Sequence, residues 1–175
     1  MKRRLVVVAV VLLASLARAE HTLSVGGFSQ ATLASFNAGG ATGPSLGWLW
    51  TRGPFGVGAG LRLGTPAYGP LPLEVYVRGV FTGALGPWEP LLGPELGVSG
   101  LSELAPVPAQ RPTDFANAER AVHGPLYVAM HTEVLRFRFA RVLCSVLGVD
   151  VGTSLTAAGS ILRLQLDWVT VGVRW

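Results

Sequence analysis

The chain has 175 residues, of which 14 are basic and 10 acidic, for a formal net charge of +4. The excess is confined to the start. Lys2, Arg3, Arg4 and Arg18 lie within the first 19 residues, and the remainder carries ten arginines against ten carboxylates and no lysine. Residues 20–175 therefore lack the basic excess of a nucleic-acid partner, and with Cys144 as the only cysteine an intrachain disulfide is excluded.

Met1-Lys2-Arg3-Arg4 is followed by an apolar run from Leu5 to Leu16, broken only by Ser15, and then by Ala17-Arg18-Ala19. A charged start, a short apolar stretch and a small-x-small site define a cleavable secretory signal. The run is shorter than the roughly 20 residues of a membrane-spanning helix. Residues 1–19 are read as a signal peptide cut before Glu20, and residues 20–175 as one domain. Half of the chain is hydrophobic, yet its 23 glycines and 12 prolines all lie after residue 19. Such spacing breaks helices and suits short strands joined by turns.

Eight strands are predicted, at 22–30, 45–52, 54–63, 72–82, 91–100, 125–138, 141–154 and 161–175. The third sets Phe55, Val57, Ala59, Leu61 and Leu63 on one face and Gly56, Gly58, Gly60 and Arg62 on the other. The fourth opposes Leu73, Val75, Val77 and Phe81 to Glu74, Tyr76, Arg78 and Thr82, and the seventh opposes Leu147, Val149 and Val151 to Gly148, Asp150 and Gly152. Alternation with period two is the strand signal. The sixth segment changes parity near Val134. Pro90 and Pro94 fall in or beside the fifth, where a bulge or a late start would accommodate them.

The links after the second, fourth and sixth strands are short: Gly53-Pro54, Gly83 to Pro87, and a turn near Phe139-Ala140. Those at 31–44, 64–71, 101–124 and 155–160 are predicted as mostly longer loops. Trp48, Trp50, Phe55, Phe81, Trp88, Phe137, Phe139 and Trp175 cluster near the short turns, as an aromatic girdle at a lipid–water interface would.

In the last strand Val169, Val171, Val173 and Trp175 share a face, while Thr170, Gly172 and Arg174 take the other. Leu162, Leu164, Leu166 and Trp168 have the opposite parity, which a β-bulge near Trp168 would reconcile. A final strand of this kind, ending on an aromatic residue, resembles the assembly signal of bacterial outer-membrane proteins. The whole pattern resembles the small eight-stranded outer-membrane β-barrels. The resemblance implies an all-β, up-and-down antiparallel transmembrane barrel in the outer membrane. It also implies contact with outer-membrane lipid and with the assembly machinery, and a monomer.

In such a barrel the inward residues would include Arg62, Glu74, Arg78, Glu95, His131, Glu133, Arg136, Arg138, Asp150, Arg163 and Asp167. Side chains nearly fill an eight-stranded lumen, so these charges must pair. A salt-bridged plug with a structural role is expected, with a narrow polar pore or pocket as the other outcome. Some barrels of this class modify lipid A, and His131-Thr132-Glu133 invites that comparison. However, Ser99, Ser145 and Ser154 have no spacing that points to His131 as a nucleophile's base. No enzyme is expected. His21, His123 and His131 lack metal-ligand spacing, and no cofactor is implied. A secreted β-sandwich or lipocalin-like binder remains open, because alternation alone does not say which face points outward.

Overall fold

The computed structural model describes residues 19–34, 37–66, 73–100, 126–155 and 161–175. All of the expected signal peptide but Ala19, and the expected loop at 101–124, lie outside the described residues. The strands are β1 (Ala19–Ala34), β2 (Asn37–Arg52), β3 (Phe55–Leu63), β4 (Thr65–Pro66), β5 (Leu73–Thr82) and β6 (Leu91–Ser99). They continue as β7 (Leu126–Glu133), β8 (Arg136–Phe139), β9 (Val142–Ser145), β10 (Gly148–Ser154) and β11 (Ile161–Arg174). Every pairing is antiparallel, and β11 pairs with β1 to close the sheet. β4 continues β3, β8 continues β7, and β10 continues β9, so the ring is an eight-stranded up-and-down barrel. Closure joins the first and last strands of the sheet, and a closed barrel is the form in which strands can span a bilayer.

Inside and outside are inverted relative to a water-soluble protein. Among the described residues, 17 buried side chains are polar or charged and seven are apolar. The outward face carries Val57, Leu61, Val75, Val77, Leu96, Val98, Met130, Val151, Leu166 and Val171, all exposed. A soluble sandwich or lipocalin-like binder would place these the other way round, so that alternative is set aside. An apolar exterior of this extent is built to stand in lipid.

Three two-residue turns close one end. Arg52 pairs with Phe55 around Gly53-Pro54, Leu85 bridges Trp88 around Gly86-Pro87, and Phe139 pairs with Val142 around Ala140-Arg141. Gly53, Gly86 and Ala140 have positive φ. Positive φ at the first central residue fits the type II′ hairpin, whose twist matches the strands.

The expected loop at 31–44 is instead strand. β1 and β2 stay in register from Ala19↔Arg52 to Ala34↔Asn37, which leaves only residues 35–36 to connect them. The sequence from Ala31 to Pro44 shows no strict apolar alternation, yet the backbone ladder continues. At 16 residues each, these strands exceed the roughly 9–11 needed to cross a bilayer. The hairpin therefore projects past the membrane at the end opposite the short turns. Pro94 sits in no bulge: β6 keeps its register with β7 through Pro94↔Met130, and with β5 from Arg78↔Glu95 to Phe81↔Leu92. Gly79 opposite, without a side chain, leaves room for the proline ring.

The parity breaks are real and lie at one level. Between Gly26 and Phe28 the register with β11 slips by one residue, from Thr170 to Asp167. Val134-Leu135, Val146-Leu147 and Trp168-Val169 are each pairs of consecutive exposed residues. They interrupt three neighbouring strands between the same flanking rungs, Glu133↔Gly148↔Asp167 and Arg136↔Ser145↔Thr170. Each pair flips inward parity from one set of residues to the other. The carbonyl freed at Val134 accepts a bond from Trp88 Nε1 at 2.6 Å.

Candidate functional site: the charged lumen

The centre of the lumen is a connected ion cluster built from β3, β5, β6, β7, β10 and β11. Arg62 Nη1 donates to Glu74 Oε1 at 2.6 Å and to Glu95 Oε1 at 2.7 Å, and Nη2 donates to Asp150 Oδ2 at 3.0 Å. Arg163 Nη2 reaches the same Glu74 oxygen at 2.6 Å, and Arg78 Nη2 reaches Glu95 Oε2 at 2.6 Å. Tyr127 donates its hydroxyl toward Glu74 and Glu95, at 3.0 and 2.8 Å. Arg62, Glu74, His131, Asp150 and Gln165 have no exposed surface. Isolated charges in such a place would be very costly. Here each carboxylate is shared between cations or hydrogen-bond donors.

Two tyrosines hold the guanidinium planes. Arg62 lies 4.0 Å and Arg78 4.4 Å from the Tyr76 ring centroid, and Arg163 lies 3.9 Å from that of Tyr127. Such stacking favours arginine over lysine. The tyrosines fit because the facing strands carry glycine: a Cβ on Gly60 would collide with the Tyr76 hydroxyl, and one on Gly97 with that of Tyr127.

His131 stands between carboxylates. Its Nδ1 faces Asp150 Oδ1, its Nε2 lies 3.1 Å from Glu133 Oε1, and Asp167 Oδ2 is 4.0 Å away. A neutral imidazole has one N–H, so only the doubly protonated ring donates to both neighbours. Glu95, His131 and Asp150 place ligand atoms within 4.8 Å of one another. Arg62 already bridges Glu95 and Asp150, so an arginine fills the place a cation would take. Both ring nitrogens of His131 face carboxylates, Asp150 on one side and Glu133 on the other.

Glu133 continues the network downward, with Oε2 3.4 Å from Arg136 Nε. A second cluster closes the short-turn end. Arg174 Nη2 is 2.8 Å from Glu89 Oε2 and its Nη1 is 2.9 Å from Glu20 Oε2, while Arg138 Nε is 3.0 Å from Glu89 Oε1. Sequence reasoning named Arg138 but missed Glu20, Glu89 and Arg174. The inward parity of Arg174 was a usable signal; Glu89 lies beyond the regular alternation, beside a turn. The buried Phe28, Gln30 and Gln165 were likewise unflagged, since single uncharged residues on a glycine-rich face carry little contrast.

Outside, Phe55, Phe81, Phe139, Trp48 and Trp175 are exposed, and Trp50, Trp88 and Phe137 are partly covered. His21 stacks with Trp48 and Trp175, with ring centroids 5.9 and 6.0 Å apart. Trp175 exchanges two 3.0 Å backbone bonds with His21, so the residue at the end of β11 lies on the seam that closes the barrel. Val169, Val171 and Val173 are exposed on the lipid side of the same strand.

No protein-family model matches the chain, and no curated protein matches its sequence. Solved structures do match in fold. Neisserial surface protein A superposes with a TM-score of 0.59 at 11% identity, over 90% of this chain and 97% of that one. The attachment invasion locus protein Ail of Yersinia pestis, solved with the heparin analogue sucrose octasulfate, gives 0.51 at 10% identity, over 90% and 99%. The chain therefore has the architecture of the small eight-stranded bacterial outer-membrane barrels.

Proposed function

We propose that this chain is a monomeric outer-membrane barrel with a structural, non-conducting role, whose projecting end faces out of the cell. The observation that carries this reading is the buried ion cluster around Arg62, which spans the lumen from β3 to β10 and β11. A narrow pore needs a continuous polar path with ions able to enter and leave. Here the charges are spent on one another. The engaged nitrogens of His131 support a non-catalytic role.

Residues 1–19 act as the export signal, and the mature chain starts at Glu20, whose carboxylate meets Arg174. The assembly machinery recognises β11 through Val169, Val171, Val173 and Trp175. The short turns and the aromatic girdle then face the periplasm, and the long β1–β2 hairpin faces outward.

Planar-bilayer recording of the purified full chain tests the sealed lumen. The expected result is insertion without steady conductance steps. Reproducible, ion-selective steps from the wild-type chain would replace this reading with that of a narrow pore.

A further inference from the structure

The charges inside the barrel cancel. Arg62, Arg78, Arg136 and Arg163, with a doubly protonated His131, stand against Glu74, Glu95, Glu133, Asp150 and Asp167. At the short-turn end, Arg138 and Arg174 are matched by Glu89 and Glu20. Among the described residues two arginines are then in excess, Arg52 and Arg141. Arg52 also makes a local contact, which does not alter the count. Terminal charges at Glu20 and Trp175, one of each sign, leave it unchanged as well. Among the described residues, Arg52 and Arg141 are also the only charged side chains that are fully exposed.

Both stand at the level of the aromatic girdle. Arg52 ends β2 on the outward parity of Trp48 and Trp50, and its cross-strand neighbour is the exposed Phe55. Arg141 lies in the β8–β9 turn between the exposed Phe139 and Val142. Its carbonyl accepts the Arg174 N–H at 2.8 Å, which sets it beside the exposed Trp175. Between them run β1 and β11, so three strand spacings, roughly 14 Å, part the two along the rim. Each arginine therefore has room for an anion of its own.

The surroundings select that anion. Exposed aromatic rings mark the depth of the lipid headgroups, and the rim is continuous with the apolar exterior, so a lipid reaches both at once. A guanidinium presents paired donors that match a phosphate. A zwitterionic headgroup brings its own cation to compete for that phosphate, whereas an anionic one leaves it free. We propose that the short-turn rim binds anionic phospholipids, with Arg52 and Arg141 each holding one headgroup phosphate. The inference rests on the reading of the chain as a bilayer-spanning barrel, and it is independent of whether the lumen conducts.

Phosphatidylglycerol is the probe and phosphatidylcholine the control. The delipidated full chain is titrated with each in neutral detergent, and bound lipid is counted by native mass spectrometry. Two phosphatidylglycerols should bind ahead of phosphatidylcholine. Arg141→Gln should weaken one of the two sites about fivefold, the effect of one arginine near an anionic surface, and Arg52→Gln/Arg141→Gln should remove the preference. If Arg52→Gln disturbs the fold, Arg141→Gln alone decides. Inorganic phosphate at equal ionic strength should not displace the lipid. Equal binding of the two lipids, an unchanged preference in Arg141→Gln, or displacement by inorganic phosphate would each overturn the proposal. Insertion into phosphatidylcholine vesicles, followed by the gel shift of the unboiled chain, separates the two readings. A chain that inserts but shows no preference overturns this proposal alone; one that does not insert overturns the barrel reading with it.

Discussion

Replacing Arg62 by methionine removes the cation that three buried carboxylates share while keeping much of the side-chain volume. Glu74, Glu95 and Asp150 then lose contacts of 2.6, 2.7 and 3.0 Å. Arg163 still reaches Glu74, and Arg78 still reaches Glu95, so those two acids stay partly matched. Asp150 is left to His131 alone among the described ion pairs. Breaking a buried pair by deleting one partner costs about 3–5 kcal/mol, because the orphaned charge stays buried. That is roughly two to four powers of ten in the folding equilibrium. Urea unfolding in detergent micelles, followed by tryptophan fluorescence and by the gel shift of the unboiled chain, measures it. Adding Asp150→Asn to Arg62→Met should recover a substantial part of the loss. The double-mutant cycle should then show coupling well above the few tenths of a kcal/mol seen for independent sites. A cost below about 1 kcal/mol for Arg62→Met, with additive behaviour, would refute the account of the cluster as a mutually dependent unit.

Three further outcomes follow from single positions. Gly97→Ala should destabilise by about 1–3 kcal/mol in the same urea assay, since the new methyl meets the Tyr127 hydroxyl; an unchanged midpoint would mean that the tyrosine is not fixed there. Ala140→Gly should stabilise by about 0.5–1 kcal/mol, because Ala140 holds a φ of 55° that costs an L-residue roughly 1–2 kcal/mol, less the extra freedom glycine gains when unfolded. Nitrogen NMR of the His131 ring at neutral pH should show both nitrogens protonated, and a neutral tautomer would contradict the two-carboxylate contact.

The strands were legible because the contrast between faces is extreme. On β3, glycines and Arg62 alternate with phenylalanine, valine and leucine, and β5 does the same with Glu74 and Arg78. The parity breaks near Val134 and Trp168 were readable too, but the third, at Val146-Leu147, was not. Leu143 and Leu147 share parity and are both apolar, yet one faces the lumen and the other the lipid. The β1–β2 extension was illegible for a different reason. Residues 31–44 show no strict apolar alternation, which leaves no period to detect. The rung of Arg136, Ser145 and Thr170 could not be read from spacing at all, since these residues meet only through β8, β9 and β11 pairing beside the bulge line. Alternation also never stated which face points outward; the buried polar residues and exposed apolar residues of the closed barrel settled that.

The inverted arrangement is tested most directly by collisional quenching from brominated lipids. In a Cys144→Ser background, single cysteines carrying a fluorophore at Val77, Leu96 and Val151 should be quenched by bromine on the acyl chains, because these positions are exposed on the barrel exterior. A cysteine replacing Ser99, which is buried in the lumen, should escape quenching. Strong quenching at Ser99 together with protection at Val77 and Leu96 would turn the barrel inside out and contradict the account.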